Sequence, residues 1–140
     1  MNYKYSEVSY KFRTEEDLFI QLSPPIKPSN NLPFVDTKYI NLNNEGMLLL
    51  KCGFGWNGVT GGITTDATLL PSAIHDALDE LMQRKLVSAD EYKQAADEIY
   101  LAMLKDRGVS LARITTHRMA LGMFGGNIAR VPAKEIKFMK

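Results

Sequence analysis

The pattern of apolar and polar positions changes character about halfway along the chain. In the first half, residues 3–12 alternate between apolar and polar positions, and Leu18–Leu22 is a short apolar run. Both patterns have the length typical of strands. Thr37–Leu42 and Met47–Phe54 do the same on either side of residues 43–46, whose sequence NNEG suits a tight reversal. These segments predict an antiparallel sheet of about four strands that contains one hairpin.

A proline-rich segment separates the second predicted strand from the hairpin. Ser23–Pro33 contains four prolines and has no helical period. Because proline has no amide hydrogen to give to a neighbouring strand, this segment cannot join a central sheet. We expect an extended loop on the surface.

The second half has the period of amphipathic helices. Ser72–Lys85 follows Pro71, a residue suited to a first helical turn. A capping-box pattern at Ser88–Glu91 begins a second helix, which runs to Arg107 and ends at Gly108. The apolar faces consist of Ile74, Ala77, Leu78, Leu81 and Met82 in the first helix, and of Tyr92, Ala95, Ala96, Ile99 and Met103 in the second.

The connection between these helices, about Leu86–Ser88, is so short that they must form an antiparallel hairpin. A third helix from about Ser110 to Phe124 ends at Gly125-Gly126. The fold class is therefore α+β, with an N-terminal antiparallel sheet of about four strands packed on a C-terminal three-helix unit. The single domain over 1–140 has a β-rich part at 1–54, a glycine-rich loop at 55–71, a helical part at 72–126 and a tail at 127–140.

Composition and charge narrow the classes of function. A chain of 140 residues, 45% hydrophobic, can bury a core without disulfides or metal. A net charge of +1, with basic residues spread among acids, predicts no nucleic-acid partner. We find no apolar run of the roughly 20 residues that a membrane-spanning helix needs and no signal peptide, and we expect synthesis in the cytoplasm. The only cysteine, Cys52, excludes an internal disulfide, and we expect it to be buried in a strand.

The glycine-rich stretch carries the candidate chemistry. Five glycines fall between positions 53 and 62, a density that gives the backbone freedom to aim carbonyls or amides at a ligand. The stretch leads to His75 and Asp76, which we expect in the first or second turn of a helix that begins near Pro71, beside its amide end. His117, flanked by Arg113 and Arg118 on the third helix, is expected to be exposed and without a role.

A histidine and an acid are expected to meet across the helix hairpin. Asp97 lies in the middle of the second helix among apolar residues, and a half-buried carboxylate requires a partner. His75 and Asp97 lie at similar distances from the connection, so they can meet side by side. Asp97 would fix the tautomer of His75 and make its other nitrogen a candidate general base for a water. A purely structural histidine is the alternative.

Asp76 is then left to face the loop. Its carboxylate, with loop carbonyls and a side-chain oxygen from Asn57, predicts a site for a hard cation such as calcium. A cation there would stabilise the oxyanion that forms when water attacks an ester. These parts predict a metal-assisted hydrolase, whereas a simple interaction of Asp76 with the helix dipole is the alternative.

The motifs resemble a family of small phage and prophage proteins that has no established activity. That family typically reads Trp-Asp-Gly-Ala-Ser-Gly, His-Asp-Ala-Leu-Tyr and Ala-Asp in this order. The chain has WNGVTG at 56–61, HDAL at 75–78, AD at 96–97 and FGG at 124–126, and the resemblance covers about 17–127. It implies a phage protein made in the host cytoplasm.

The same residues look like the calcium loop and helix pair of secretory phospholipases A₂, especially the compact bacterial forms. There an Asp-Gly loop and the Asp after the catalytic His bind calcium, and an Asp on the second helix orients that His. The resemblance implies that a lipid or another ester is the substrate. It implies Asn57, Gly58 and Asp76 as calcium ligands, His75 as the base and Asp97 as its orienting partner.

Some residues depart from both patterns. Asn57 replaces the loop Asp, which removes a negative charge from the cation site. Asp79 replaces the aromatic residue expected four positions after His75, and adds a charge beside it. The sequence therefore leaves two functions open. One is an ester hydrolase, and the other is a non-catalytic phage protein, either a virion or tail component or a host-interaction factor, that keeps the scaffold.

Overall fold

In the computed structural model, which describes residues 10–59 and 64–122, the first half forms antiparallel sheets. A sheet of four strands has the order β2-β5-β4-β3, and β1 pairs separately with β6. The strands are β1 (Phe12–Arg13), β2 (Leu18–Gln21), β3 (Phe34–Asp36), β4 (Ile40–Asn43), β5 (Met47–Leu50) and β6 (Gly55–Trp56). The prediction of an N-terminal antiparallel sheet of about four strands is confirmed, but its membership differs. β3 was not predicted, and β1, at the end of the first predicted strand, pairs with β6 in a separate ribbon.

The predicted hairpin is formed by β4 and β5. Ile40 lies opposite Leu50 and Leu42 opposite Leu48, and all of these side chains are buried on one face of the sheet. The side-chain oxygen of Asn43 accepts the amides of residues 45 and 47, both at 2.9 Å, which closes the turn. One face of the hairpin therefore forms part of the core.

The proline-rich segment lies outside the sheet, as expected, but it is not simply a surface loop. Ile26 is completely buried in the core. Ser29, in a short 3₁₀ turn (Ser29–Asn31), donates its amide to the carbonyl of Leu86 at 2.9 Å. The expectation was wrong on this point because it weighed the prolines and overlooked the free energy gained by burying one large apolar side chain.

Three helices follow, α1 (Asp66–Gln83), α2 (Ala89–Asp106) and α3 (Leu111–Ala120). α1 begins at Asp66 rather than near Pro71, because Thr65 and Thr68 form a capping box and Pro71 lies inside the helix. His75 is therefore about 14 Å along the axis from the amide end. The prediction that His75 and Asp76 lie beside that end is wrong.

The predicted helix hairpin is confirmed. Residue 79 contacts 93 and residue 75 contacts 97, so α1 and α2 run in opposite directions. α2 begins at Ser88, whose hydroxyl accepts the amide of Glu91, and α3 begins in the same way at Ser110. Each predicted start is therefore correct.

The main core lies between the four-stranded sheet and α1. It contains Leu22, Ile40, Leu42, Leu48 and Leu50 from the sheet side and Ile74, Leu78, Leu81 and Met82 from α1. A smaller cluster joins α2 to α3 through Leu101, Leu104, Ile114 and Leu121. Cys52 follows β5 and is exposed, so the expectation of a buried thiol is wrong.

Some predicted features fall outside the described residues. They are residues 3–9 of the first predicted strand, the glycines at 61 and 62, the third helix from 123 onward with its glycine end, and the tail at 127–140. Within the described part of the chain, no helix combines the length and the apolar character needed to cross a membrane.

Candidate functional site

A cluster of charged side chains lies between α1 and α2. His75 and Asp79 are four residues apart on α1, and Lys93 and Asp97 are four apart on α2, so each pair lies on one face of its helix. Three of the four residues are buried, and Asp97 is partly exposed. Because the helices are antiparallel, the two pairs face each other.

The predicted contact between His75 and Asp97 is present. Nε2 of His75 lies 2.6 Å from Oδ1 of Asp97, a distance typical of a charge-assisted hydrogen bond. Since an ionised carboxylate only accepts, Nε2 carries the hydrogen. The contact fixes the orientation of the imidazole ring.

Lys93 joins the two acids of the cluster. Its ammonium group lies 2.9 Å from Oδ1 of Asp97 and 3.1 Å from Oδ1 of Asp79. The sequence analysis did not identify Lys93. The available signal was a lysine placed four residues before Asp97, on a face of the helix that is otherwise turned toward α1.

The partners of Asp97 decide its charge. Burial by itself would raise the pKa of this carboxyl group, but hydrogen bonds from His75 and Lys93, with the charge of Lys93, lower the pKa below its ordinary value. Asp97 is therefore ionised at neutral pH. It can hold the imidazole through a full negative charge.

The second nitrogen of His75 faces an acid as well. Nδ1 lies 3.5 Å from Oδ2 of Asp79, which is too long for a good hydrogen bond. Asp79 is therefore placed where the sequence analysis expected it to matter, beside the imidazole. With Lys93 and Asp97, it surrounds the ring with charged groups.

Asp76 lies on another face of α1, beside a small cavity. The space amounts to about 10 Å³, room for about one water. Its walls come from the glycine-rich loop and all three helices. They are Gly58, Val59, Ser72, His75, Asp76, Tyr100, His117 and Leu121. The structure thus places the loop, His75 and Asp76 around one cavity.

The carboxyl group of Asp76 makes no hydrogen bond to any residue among those described. Although the residue keeps some surface exposure, the protein packed around it desolvates the carboxyl and raises its pKa to about 7. Lys93, and the ring of His75 when it is protonated, oppose this rise, whereas Asp79 and Glu80 add to it. Asp76 therefore keeps its proton to a higher pH than an exposed aspartate does, and no described residue donates a hydrogen bond to it.

A glycine is required at position 58 because the loop backbone there lies very close to the side chain of Thr64. The φ of Gly58 is +94°, and a Cβ at this position would overlap the hydroxyl of Thr64. That hydroxyl accepts the amide of Val59 at 3.1 Å. The contact joins residues 59 and 64 and fixes the backbone of Gly58 and Val59, which line the cavity beside Asp76.

Asn57 does not join Gly58 and Asp76. Its side chain is exposed, its Oδ1 accepts the amide of Lys11 at 3.0 Å, and it does not line the cavity. Across residues 10–59 and 64–122, no three His, Cys, Asp or Glu side chains are arranged to hold a metal ion. A calcium site therefore depends on Asp76 and backbone oxygens, and it remains a prediction.

His117 is buried, so the prediction that it is exposed is wrong. Its Nδ1 lies 3.1 Å from the hydroxyl of Tyr100, whose ring also lies beside His75 with centroids 5.2 Å apart. Burial lowers the pKa of His117, and Arg113 adds to this, so the ring is neutral at pH 7. The signal that was missed is the spacing from Ile114, which places His117 on the apolar face of α3.

The arrangement contains an imidazole oriented by an acid, a carboxyl group without a described hydrogen-bond partner and the backbone of Gly58 around one water-sized space. Comparison with protein-family models, with curated proteins and with solved structures finds no match. The resemblances to the phage family and to phospholipases therefore rest on the sequence motifs alone.

Proposed function

We propose that the protein is a phage-encoded, metal-assisted hydrolase of an ester. His75 would be the general base and Asp97 its positioning partner, and Asp76 with the backbone near Gly58 would hold the cation. The observation that carries this proposal is that Gly58, His75 and Asp76 line one cavity while Asp97 holds Nε2 of His75 at 2.6 Å. The protein would act after synthesis in the host cytoplasm.

The hydrogen on Nε2 supports this assignment. With that tautomer, Nδ1 has a free lone pair and can take a proton from a water that attacks the ester carbonyl. The positive charge that then develops on the ring is stabilised by the ionised Asp97. The cavity beside His75 has room for about one water.

The surroundings of Asp76 support a cation. Removing a carboxylate from water without a counter-charge is unfavourable, and a bound calcium ion would supply that charge. A cation at this position would also polarise the ester carbonyl. Asn57 does not fit this role, because its side-chain oxygen is bonded to the backbone of Lys11.

A second function is favoured by a different observation. Nδ1 of His75 faces Asp79, and Lys93 bridges Asp79 and Asp97, so the charged groups of the cluster are paired with one another. The space beside the ring holds a water but not an acyl chain. These features support a non-catalytic virion, tail or host-interaction protein in which the cluster only stabilises the helix hairpin.

Hydrolysis assays on the purified chain separate the two functions. The substrates are p-nitrophenyl butyrate and phosphatidylcholine vesicles, each with calcium and with a chelator, and the chains are wild type, His75→Gln and the exposed control Asp106→Asn. The hydrolase predicts a rate at least about 100-fold lower for His75→Gln and unchanged for Asp106→Asn. Equal background rates for all three folded chains would contradict it and support the second function.

A further inference from the structure

A second and larger cavity lies where the strands meet the C-terminal half of α1. Its volume is about 300 Å³, at the lower end of the range of small-molecule sites. It shares no lining residue with the cavity beside Asp76. Three aromatic residues, Tyr10, Tyr39 and Phe54, form part of its walls.

The glycines on both sides of Phe54 allow the three rings to come together. Gly53 has a φ of +94°, and a Cβ there would come within 3.1 Å of the Tyr39 ring. A Cβ on Gly55 would overlap the ring of Tyr10. The two tyrosine rings therefore lie directly on the backbone that flanks Phe54, an approach that a side chain at either glycine would obstruct. The Gly-Phe-Gly sequence thus builds an aromatic surface inside the cavity.

The ring of Phe54 is held in a fixed plane. It is buried and stacks on the ring of Trp56, with centroids 6.0 Å apart. Trp56 is held in turn by the hydrogen bond that its Nε1 donates to the hydroxyl of Ser72 at 3.0 Å. Because this wall is already ordered, little conformational entropy would be lost when a planar ligand packs against it.

The charged side chains that line the larger cavity balance one another. They are two acids, Asp36 and Glu80, and two bases, Lys38 and Arg84. Asp36 is paired with Lys51 at 2.6 Å, and Glu80 with Arg84 at 3.1 Å. A charged ligand would lose hydration without gaining an unpaired counter-charge from the described lining residues, which is unfavourable.

A cationic ligand is disfavoured for a further reason, although aromatic rings can bind cations. The guanidinium of Arg13 already lies 5.2 Å from the centre of the Tyr10 ring, and the ammonium of Lys38 lies 5.5 Å from that of Tyr39. A second cation beside these rings would be repelled by the first. The aromatic walls therefore favour an uncharged ring.

We propose that the larger cavity binds a small uncharged aromatic molecule, whose ring lies among Tyr10, Tyr39 and Phe54. Contacts between aromatic rings add to the free energy gained by burying apolar area, so a planar aromatic ring is favoured over a saturated ring of similar size. The site is independent of the proposed hydrolase centre, so either can fail without the other.

Binding is measured on the complete chain with four probes of similar size. Benzyl alcohol is aromatic and uncharged, cyclohexylmethanol lacks the aromatic ring, benzoate is an anion and benzylamine is a cation. The single tryptophan, Trp56, stacks on Phe54 in the cavity wall, so its fluorescence reports occupancy. We expect saturable binding of benzyl alcohol and at least about fivefold weaker binding of the other three probes. Equal or tighter binding of any of the three, or no saturable change with benzyl alcohol, overturns the proposal.

Variants locate the site on the chain. Tyr39→Leu removes one ring from the cavity, and Phe19→Leu makes the same type of change at an exposed aromatic residue of β2 that does not line it. We expect at least about fivefold weaker binding of benzyl alcohol for Tyr39→Leu and no change for Phe19→Leu. Equal affinity of wild type and Tyr39→Leu places the ligand elsewhere and overturns the assignment. The comparison of probes uses the unaltered chain, so it decides the proposal even if Tyr39→Leu does not fold.

Discussion

The two sides of α1 that carry His75 and Asp76 differ in how their charges are compensated. On one side, two carboxylates, a lysine and an imidazole pair with one another, and the pKa of Asp97 is lowered. On the other, the carboxyl of Asp76 has no described hydrogen-bond partner, and its pKa is raised to about 7. Adjacent residues on one helix thus have opposite electrostatic surroundings. The paired side stabilises the hairpin, and the unpaired side is where a ligand would be bound.

The largest loss of stability is expected from replacing Lys93, which bridges the two carboxylates on the side of α1 that carries His75. Lys93→Met leaves Asp79 and Asp97 in the helix interface without the cation that bridges them. Breaking a buried ion pair by removing one partner costs roughly 3–5 kcal/mol, and we expect the free energy of unfolding to fall by that amount. Urea unfolding measures it.

Lys105→Met is the matched control, because Lys105 is exposed on the same helix. Its effect should stay within about 0.5 kcal/mol. A second change, Asp79→Asn in the Lys93→Met background, should restore part of the lost stability by removing one uncompensated charge. If Lys93→Met and Lys105→Met unfold at the same urea concentration, the cluster does not stabilise the hairpin.

The raised pKa of Asp76 predicts how the free energy of unfolding depends on pH. Because the pKa of Asp76 is about 7 in the folded chain and 3.8 when exposed, the folded state binds more protons between these values. The free energy of unfolding should therefore fall as pH rises from about 4 to 7, by at most about 1.4 kcal/mol per pH unit. Asp76→Asn should remove this slope, which urea unfolding at several pH values measures.

Asp97 supplies the comparison for that experiment. Because the pKa of Asp97 is lower in the folded chain than its ordinary value of 3.8, the ionised carboxylate stabilises the fold at pH values above 3.8. This stabilisation is lost as the pH falls through the pKa of the folded state. Asp97→Asn should thus change the acid side of the stability profile and keep the slope between pH 4 and 7. An unchanged slope in Asp76→Asn would show that its carboxyl is hydrated like an exposed acid.

Much of this arrangement was accessible from the sequence. The short connection between α1 and α2 is enough to place His75 opposite Asp97, and the same reasoning would have placed Lys93 opposite Asp79. The start of α1 was misplaced because Pro71 was given more weight than the capping pair Thr65 and Thr68. A proline removes one helical hydrogen bond, but a capped first turn can precede it.

The rest depends on contacts between distant segments. The larger cavity joins Tyr10, Tyr39 and Arg84, which come from three separate parts of the chain, and no local period relates them. The lack of a described partner for Asp76 is likewise a property of the packed loop and helices. Sequence patterns predict which face of an element is buried, but not which polar group is left unpaired there.

A cation bound to Asp76 should supply a counter-charge and so stabilise the folded chain. If calcium binds Asp76 in the folded state alone, a hundredfold excess over its dissociation constant raises stability by about 2.7 kcal/mol. Since the carboxyl must lose its proton, the effect should be larger at pH 8 than at pH 6. Thermal melting with calcium, with magnesium and with a chelator measures it.

Asp76→Asn should abolish the response to calcium, whereas Asp106→Asn, an exposed acid on α2, should keep it. Equal melting temperatures of the wild type with calcium and with chelator at pH 8 would contradict the cation site. The hydrolase proposal would then lose its metal, and the second proposed function would gain support.

The smallest loss of stability is expected from changing Tyr100, which lines the cavity beside Asp76 and also contacts His75. The ring of Tyr100 lies at a tilt beside that of His75, and its hydroxyl lies 3.1 Å from Nδ1 of His117. Tyr100→Phe therefore removes one hydrogen bond and keeps both ring contacts. We expect a loss of about 1 kcal/mol in the free energy of unfolding, measured in urea. The ring of His75 should not move, because its Nε2 stays hydrogen-bonded to Asp97. A Tyr100→Phe variant that loses the pH slope of Asp76 would instead show that the hydroxyl controls the cavity, and the two sides could no longer be treated as separate.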